Sequence, residues 1–227
     1  MVKAVLCDID GTLVDSNWLH AEAWQRAFGV MGTVLDREDV RRQIGKGGDE
    51  LIPVFVSWWK REAIQEPLKR YREWIFRTDF LPQVKALPKA REFAEELKRR
   101  GIQFALASSA KKTDLQDYKR IMQVEDLLAE ATSADDVDRA KPHPDVFAVT
   151  LKRLGLKVKD CIALGYTPYD AESAGKAGLR TIWVETGGWT HNELTDAGCV
   201  EVYASVAELL QRLDDSAIIR EGLRVSY

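Results

Sequence analysis

The chain has little of what marks a secreted, membrane-embedded or nucleic-acid-binding protein. Its 227 residues include only three cysteines, Cys7, Cys161 and Cys199. They are widely separated and odd in number, without the paired spacing that zinc or thiol redox chemistry needs. Buried, reduced thiols in a cytoplasmic protein are the expectation. No apolar run approaches the roughly 20 residues that cross a bilayer. The N-terminal MVKAVLCDID lacks the long apolar stretch and small-residue cleavage site of a signal peptide. Nor is there an excess of basic charge: 33 Lys and Arg stand against 36 Asp and Glu, a net charge of −3. That balance gives no basic face for nucleic acid. What is present is ordinary globular composition, 45% hydrophobic and 30% charged, on a chain long enough to bury a sizeable core in one or two domains.

Four short apolar runs read as buried strands: VKAVLC at 2–7, IQFALA at 102–107, CIAL at 161–164 and TIWV at 181–184. Continuous apolar strands suit a parallel sheet covered on both faces. Helical patterns lie between them. LPKAREFAEELKRRG sets Ala90, Phe93, Ala94 and Leu97 on one face and ends at Gly101, while KPHPDVFAVTLKRLG aligns Phe147, Leu151 and Leu154 and ends at Gly155. DAESAGKAG and VAELLQRL add two more helices. Strand alternating with helix predicts an α/β fold, a Rossmann-like doubly wound parallel sheet.

Residues 17–82 break the alternation. Only helical spacing occurs there: Ala21, Trp24 and Phe28, then Leu51, Val54, Phe55 and Trp58, then Leu68, Tyr71 and Ile75. Five of the seven tryptophans fall in this block. It predicts an inserted small α-helical cap at 17–82 on a core formed by 1–16 and 83–227. Trp58 and Trp59 are expected to fill the core of that small bundle, with a substrate-facing aromatic patch as the alternative.

In an open α/β sheet, ligands bind beyond the carboxyl ends of the strands, which makes the residues just after each apolar run informative. They are Asp8 and Asp10, then Ser108 and Ser109, then the segment GYTPYD; Lys141 opens a helix on the same edge. Two carboxylates across a turn can divide the roles of nucleophile and acid/base. A hydroxyl and a lysine suit phosphate oxygens, and a further carboxylate across the site suits Mg²⁺. Together they form a phosphoryl-transfer constellation, in which catalysis is mainly positioning and charge neutralisation.

With these residues in place, the sequence resembles the haloacid dehalogenase-like hydrolase superfamily. DIDGTLVDS matches its first motif, LASSA its second and KPHPDVF its third. The similarity is greatest to the phosphoglycolate phosphatase and β-phosphoglucomutase-like branch, whose substrate loop IGKGGDEL resembles and whose later segment TGGWT resembles. The resemblance implies a phosphatase acting on a small phosphorylated metabolite. Asp8 would attack phosphorus to give an aspartyl-phosphate, and Asp10 would protonate the leaving alcohol and then activate water. Thr12 would steady the loop, Ser108 and Ser109 would bind the phosphoryl group, and Lys141 would offset its charge. Lys46 and Gly47 would contact substrate from the cap, and Asp8, Asp10 through its backbone carbonyl, and Asp170 would hold Mg²⁺.

One position departs from the pattern. Where the branch carries Gly-Asp-Thr-Pro-Tyr-Asp, this chain reads GYTPYD, with Tyr166 in place of a direct metal ligand. Tyrosine is neutral near pH 7 and bulkier than a carboxylate. A phosphatase with a weakened metal site, a silent homologue binding a phosphorylated ligand or protein partner, and a sugar-phosphate mutase all remain open. His20 and His191 lack ligand spacing, and His143 reads as a helix-start surface residue. Ile218, Ile219 and Leu223 sit at helical spacing in a tail that packs on the core or joins a dimer interface. Monomer and homodimer are both open.

Overall fold

A computed structural model describes residues 2–220. The chain runs β1 (Ala4–Cys7), β2 (Val14–Asp15), α1 (Asn17–Val30), α2 (Arg37–Arg41), α3 (Gly48–Phe55), α4 (Trp58–Ile75), β3 (Lys85–Ala86), α5 (Ala90–Arg99), β4 (Gln103–Ala107) and α6 (Lys112–Met122). It continues with β5 (Leu128–Thr132), α7 (Asp145–Leu154), β6 (Cys161–Gly165), α8 (Pro168–Lys176), β7 (Arg180–Val184), α9 (His191–Asp196), β8 (Glu201–Tyr203) and α10 (Val206–Gln211). Six strands form one sheet in the order β5-β4-β1-β6-β7-β8, and every pair in it is parallel. Helices cover it, so the architecture is the α/β, Rossmann-like one the alternation predicts.

The central strand shows why its sequence is apolar throughout. Ala4 and Leu6 pack into one buried cluster with Ala105, Ala107, Cys161 and Ala163, while Val5 and Cys7 enter the other. Successive side chains point to opposite faces, and both faces are covered. In register, Cys7 stands beside Leu106 of β4 and Leu164 of β6. Three strands therefore end level, and the residues that follow them emerge together.

Strands β5 and β8 are not among the four apolar runs. They are the two edges of the sheet, their residues are largely half-buried, and they carry Glu130 and Glu201. An edge strand buried on one side has no need of a continuous apolar run. A separate antiparallel ribbon of β2 and β3, two residues each, joins the chain where it leaves for the helical block and where it returns.

Within that block, α1 buries Ala21, Trp24 and Phe28, and α4 buries Leu68 and Ile75. Trp58 and Trp59 do neither of the things expected of them. They are 75% and 65% exposed, packed edge-on against each other, and absent from the lining of the cavity below. The α3 pattern stops at Val56, which is extended, so Trp58 begins a new helix rather than continuing the buried face. At the other end, Ile218 is buried in the core, in a turn after a 3₁₀ segment at Leu213–Asp215 rather than in a helix. Leu223 lies outside the described residues. Among the described residues no helix is long and apolar enough to cross a membrane.

Candidate active site

The strand ends gather the residues singled out by their position. Asp8 follows β1, and its N–H donates to Leu164 O across to β6 at 2.8 Å. Its Oδ1 accepts from Lys141 Nζ at 2.6 Å and its Oδ2 from the Thr12 hydroxyl at 3.3 Å. Lys141 is entirely buried. Its ammonium also lies 2.8 Å from Asp170 Oδ1 and donates to Ala107 O at 2.9 Å. One cation thus ties β1, β4 and α8 together.

Asp170 is fixed from the other side. Its Oδ2 accepts from the Thr167 hydroxyl at 2.8 Å and from the N–H groups of Thr167 and Tyr166 at 3.0 and 3.2 Å. With the Thr167 hydroxyl accepting from Asp170 N–H, this is a capping box at the start of α8. Burial pushes the Asp8 carboxyl up to about 7; Lys141 opposes that rise, while Asp170 and Asp10 add to it. Burial disfavours the Lys141 charge, but the two carboxylates outweigh it and raise the ammonium above its ordinary value.

Asp10 leans the opposite way. Its Oδ1 accepts from the Ser16 hydroxyl at 2.5 Å and lies 2.8 Å from His20 Nε2. Tyr118 Oη is 3.0 Å from the same ring nitrogen, and Arg72 donates to His20 Nδ1. Since a carboxylate only accepts, His20 Nε2 donates to Asp10. Burial would raise the Asp10 carboxyl, but His20, the Ser16 hydroxyl and the Tyr118 hydroxyl outweigh it and hold it at about 2. His20, Tyr118 and Arg72 are the functional neighbours that sequence reading missed. No spacing relates them; the fold brings them together from α1, α6 and α4.

The cavity over these residues holds about 290 Å³ and is lined by Asp8, Asp10, His20, Arg72, Ser109 and the 44–49 loop, among others. The two serines differ in how they meet the cavity. Ser108 is wholly buried and its hydroxyl oxygen accepts the Ala110 N–H at 3.0 Å, leaving its proton free to donate. Ser109 lines the cavity, and its buried Oγ has no protein partner. Lys46 and Gly47 both line the cavity. The Lys46 ammonium sits 4.5 Å over the Tyr169 ring and donates to Gln43 at 2.7 Å. A Cβ on Gly47 would stand 2.2 Å from Ala140 Cβ, so only glycine lets the loop approach the Lys141 segment this closely. His143 and His191 lie outside the site, beside Glu50 and Glu185.

Tyr166 is fully buried. Its ring lies between Gly11 and Gly187: a Cβ on Gly11 would meet it at 2.8 Å and one on Gly187 at 1.6 Å. Its hydroxyl donates to Asn17 Oδ1 at 3.3 Å, and burial raises it well above an ordinary phenol. The Mg²⁺ implied by the resemblance asks Asp8, Asp10 and Asp170 to surround an open position. These residues do not fit it. Lys141 stands between the Asp8 and Asp170 carboxylates, and the tyrosine ring fills the side next to Gly11. Among the described residues there is no group of three or more His, Cys, Asp or Glu side chains placed to hold a metal ion.

The family described as haloacid dehalogenase-like hydrolase matches residues 5–184. Protein CbbY of Cereibacter sphaeroides is 28% identical over 222 residues, covering 92% of this chain and 94% of its own. A phosphorylated carbohydrates phosphatase of Thermotoga maritima is 26% identical over 183 residues, covering 80% and 84%. Among solved structures, a hydrolase from Pseudomonas syringae superimposes with a TM-score of 0.83 at 25% identity, covering 94% of this chain and 98% of its own.

Proposed function

Because the chain belongs to the haloacid dehalogenase-like hydrolase family, in its phosphoglycolate phosphatase and β-phosphoglucomutase-like branch, we propose that it is a phosphatase for a small phosphate monoester of a phosphorylated carbohydrate or similar metabolite in the cytoplasm. The observation that carries the reading is Asp8 on the cavity wall with Lys141 at 2.6 Å. A buried ammonium at that distance opposes the rise that burial imposes on the Asp8 carboxyl and offsets the charge of an approaching anionic phosphoryl group.

In the first step an Asp8 oxygen bonds to phosphorus, the ester P–O bond breaks, and the leaving oxygen takes a proton from Asp10. Held at about 2, the resting Asp10 carboxylate has no proton to give. An entering phosphate dianion changes that, because a like charge nearby disfavours the ionised form and raises it. In the second step water bonds to phosphorus, the Asp8–phosphorus bond breaks, and Asp10 takes the water's proton. Ser109, with its free hydroxyl, and Ser108, with its free proton, hold the phosphoryl oxygens. The helical block at 17–82 acts as a cap, excluding water and presenting Lys46 and Gly47 to the substrate.

The test is phosphate release from a panel of sugar phosphates, phosphoglycolate and p-nitrophenyl phosphate. Turnover that Asp8→Asn abolishes supports the reading. Thermal stabilisation by inorganic phosphate with no release from any ester favours the silent binder instead. Isomerised product that requires a bisphosphate activator favours the mutase.

A further inference from the structure

We propose that Tyr166 has closed the divalent-cation position of this site and that Lys141 is its resident cation, so the chain handles a phosphate oxyanion without a bound metal. The inference does not rest on turnover; it concerns which cation the site holds.

Three observations converge on it. First, the Tyr166 ring occupies space rather than bordering it. It contacts the backbone at Gly11 on one side and at Gly187 on the other, and it is fully buried. The hydroxyl donates to the Asn17 amide oxygen, and Asn17 in turn donates from Nδ2 to Gly187 O at 2.7 Å. The side chain is therefore held at both ends, and swinging it out would abandon a bond and two close packings.

Second, the two carboxylates that would take an ion already have a cation between them. Asp8 Oδ1 and Asp170 Oδ1 share the Lys141 ammonium at 2.6 and 2.8 Å, and Asp170 Oδ2 accepts three protein donors. A neutral phenol adds no charge to draw in a hard dication. Third, the loops around the plug are built to it. Gly187 O accepts both the Asn17 amide and the Arg41 guanidinium, each at 2.7 Å, and the Thr186 hydroxyl donates to Gly11 O at 2.5 Å. The two glycines between which the ring lies are tied to each other's segments, and neither could carry a side chain while the ring is there.

The decisive measurement is Mn²⁺ binding, followed by electron paramagnetic resonance on the whole protein, for wild type, Tyr166→Asp and Tyr166→Ser. The serine variant removes the ring without adding a carboxylate, and it serves if the aspartate variant does not fold. Wild type is expected to bind no ion at this site. Tyr166→Asp is expected to gain one, which Asp8→Asn added to it removes. Inorganic phosphate affinity of wild type is expected to be the same in Mg²⁺ and in EDTA, whereas in Tyr166→Asp Mg²⁺ tightens it, since coupled ligands must assist each other reciprocally. A wild-type Mn²⁺ ion that Asp8→Asn displaces would overturn the proposal. So would folded Tyr166→Asp and Tyr166→Ser proteins that both remain without an ion. An absence of phosphate release would count against the phosphatase reading alone and leave the Mn²⁺ result standing.

Discussion

A Cβ placed on Gly187 would stand 1.6 Å from Tyr166 Cδ2. No rotamer change of a methyl relieves such an overlap, and the ring itself is held at Asn17 and Gly11. Gly187→Ala is expected to destabilise the protein by about 1–3 kcal/mol, the usual range for overpacking a full core. The same substitution in a Tyr166→Ser background should cost much less. Urea unfolding of the four proteins in this cycle gives the coupling energy. A cost at Gly187 that is the same in both backgrounds would mean that the loop, not the ring, excludes the methyl group.

The strand ends were legible because each carries its residue on a fixed geometric pattern. An apolar run must stop where the sheet stops, and Asp8, Ser108 and Tyr166 are the next residues in three adjacent strands. Lys141 could be placed by the helix that follows it. Nothing comparable announced His20. It sits on a helix face whose other members are core residues, and its partners Tyr118 and Arg72 lie 98 and 52 positions away. Such a cluster exists only once the helical block is folded against the sheet. Trp58 and Trp59 failed for the converse reason. Helical spacing groups residues on a face, but it cannot say whether a partner covers that face. The edge strands β5 and β8 were missed because half-buried strands with glutamates carry a weak period. The departure at Tyr166 was visible as a letter, but its consequence depends on two glycines 176 residues apart by number, Gly11 and Gly187.

Lys141 offers a second test. Lys141→Met keeps most of the side-chain volume and leaves Asp8 and Asp170 buried with no cation between them. Removing one partner from a buried ion pair costs about 3–5 kcal/mol at neutral pH. Phosphate release should fall to background with it. The stability deficit should shrink on acidification, as the stranded carboxylates take up protons and no longer repel. Chemical denaturation at pH 7 and pH 5 checks this; a deficit independent of pH would show that packing, not charge, is what Lys141 supplies.

Asp10 predicts a second pH dependence, set at lower pH. Its carboxyl is held at about 2 against an ordinary 3.8, so the folded protein releases this proton more readily than the unfolded chain. The stabilisation is fully present above 3.8 and is lost as pH falls through about 2. The shift corresponds to about 2 kcal/mol near neutrality, falling to roughly half of that near pH 3. Asp10→Asn should therefore be less stable than wild type at pH 6, with the gap narrowing toward pH 3. His20→Ala, which removes the main opposing influence on burial, should reproduce part of the loss at pH 6. Urea midpoints across that range decide it, and a gap that widens on acidification would refute the assignment of Asp10 as the depressed group.

Arg41 joins the helical block to the segment behind the tyrosine. Its guanidinium is almost fully buried, donates to Gly187 O at 2.7 Å, and stands 5.5 Å from the Trp18 ring centre and 5.9 Å from that of Trp189. It also pairs with Glu38 on its own helix. The planar fork is suited to stacking and hydrogen bonding at once, which an ammonium cannot do. Arg41→Lys should therefore behave more like Arg41→Ala than like wild type, each costing about 1–2 kcal/mol through the lost hydrogen bond and lost stacking. Because Asn17 still donates to the Gly187 carbonyl, no buried acceptor is orphaned, and the loss should be local. Amide hydrogen exchange should quicken at Gly188, whose N–H donates to Glu185 O, while the β1 amides keep their protection. Unchanged exchange at Gly188 in Arg41→Ala would mean that the segment holds its place without the guanidinium, and that the helical block is anchored elsewhere, for instance through Arg42 and Glu193, which meet at 2.8 Å.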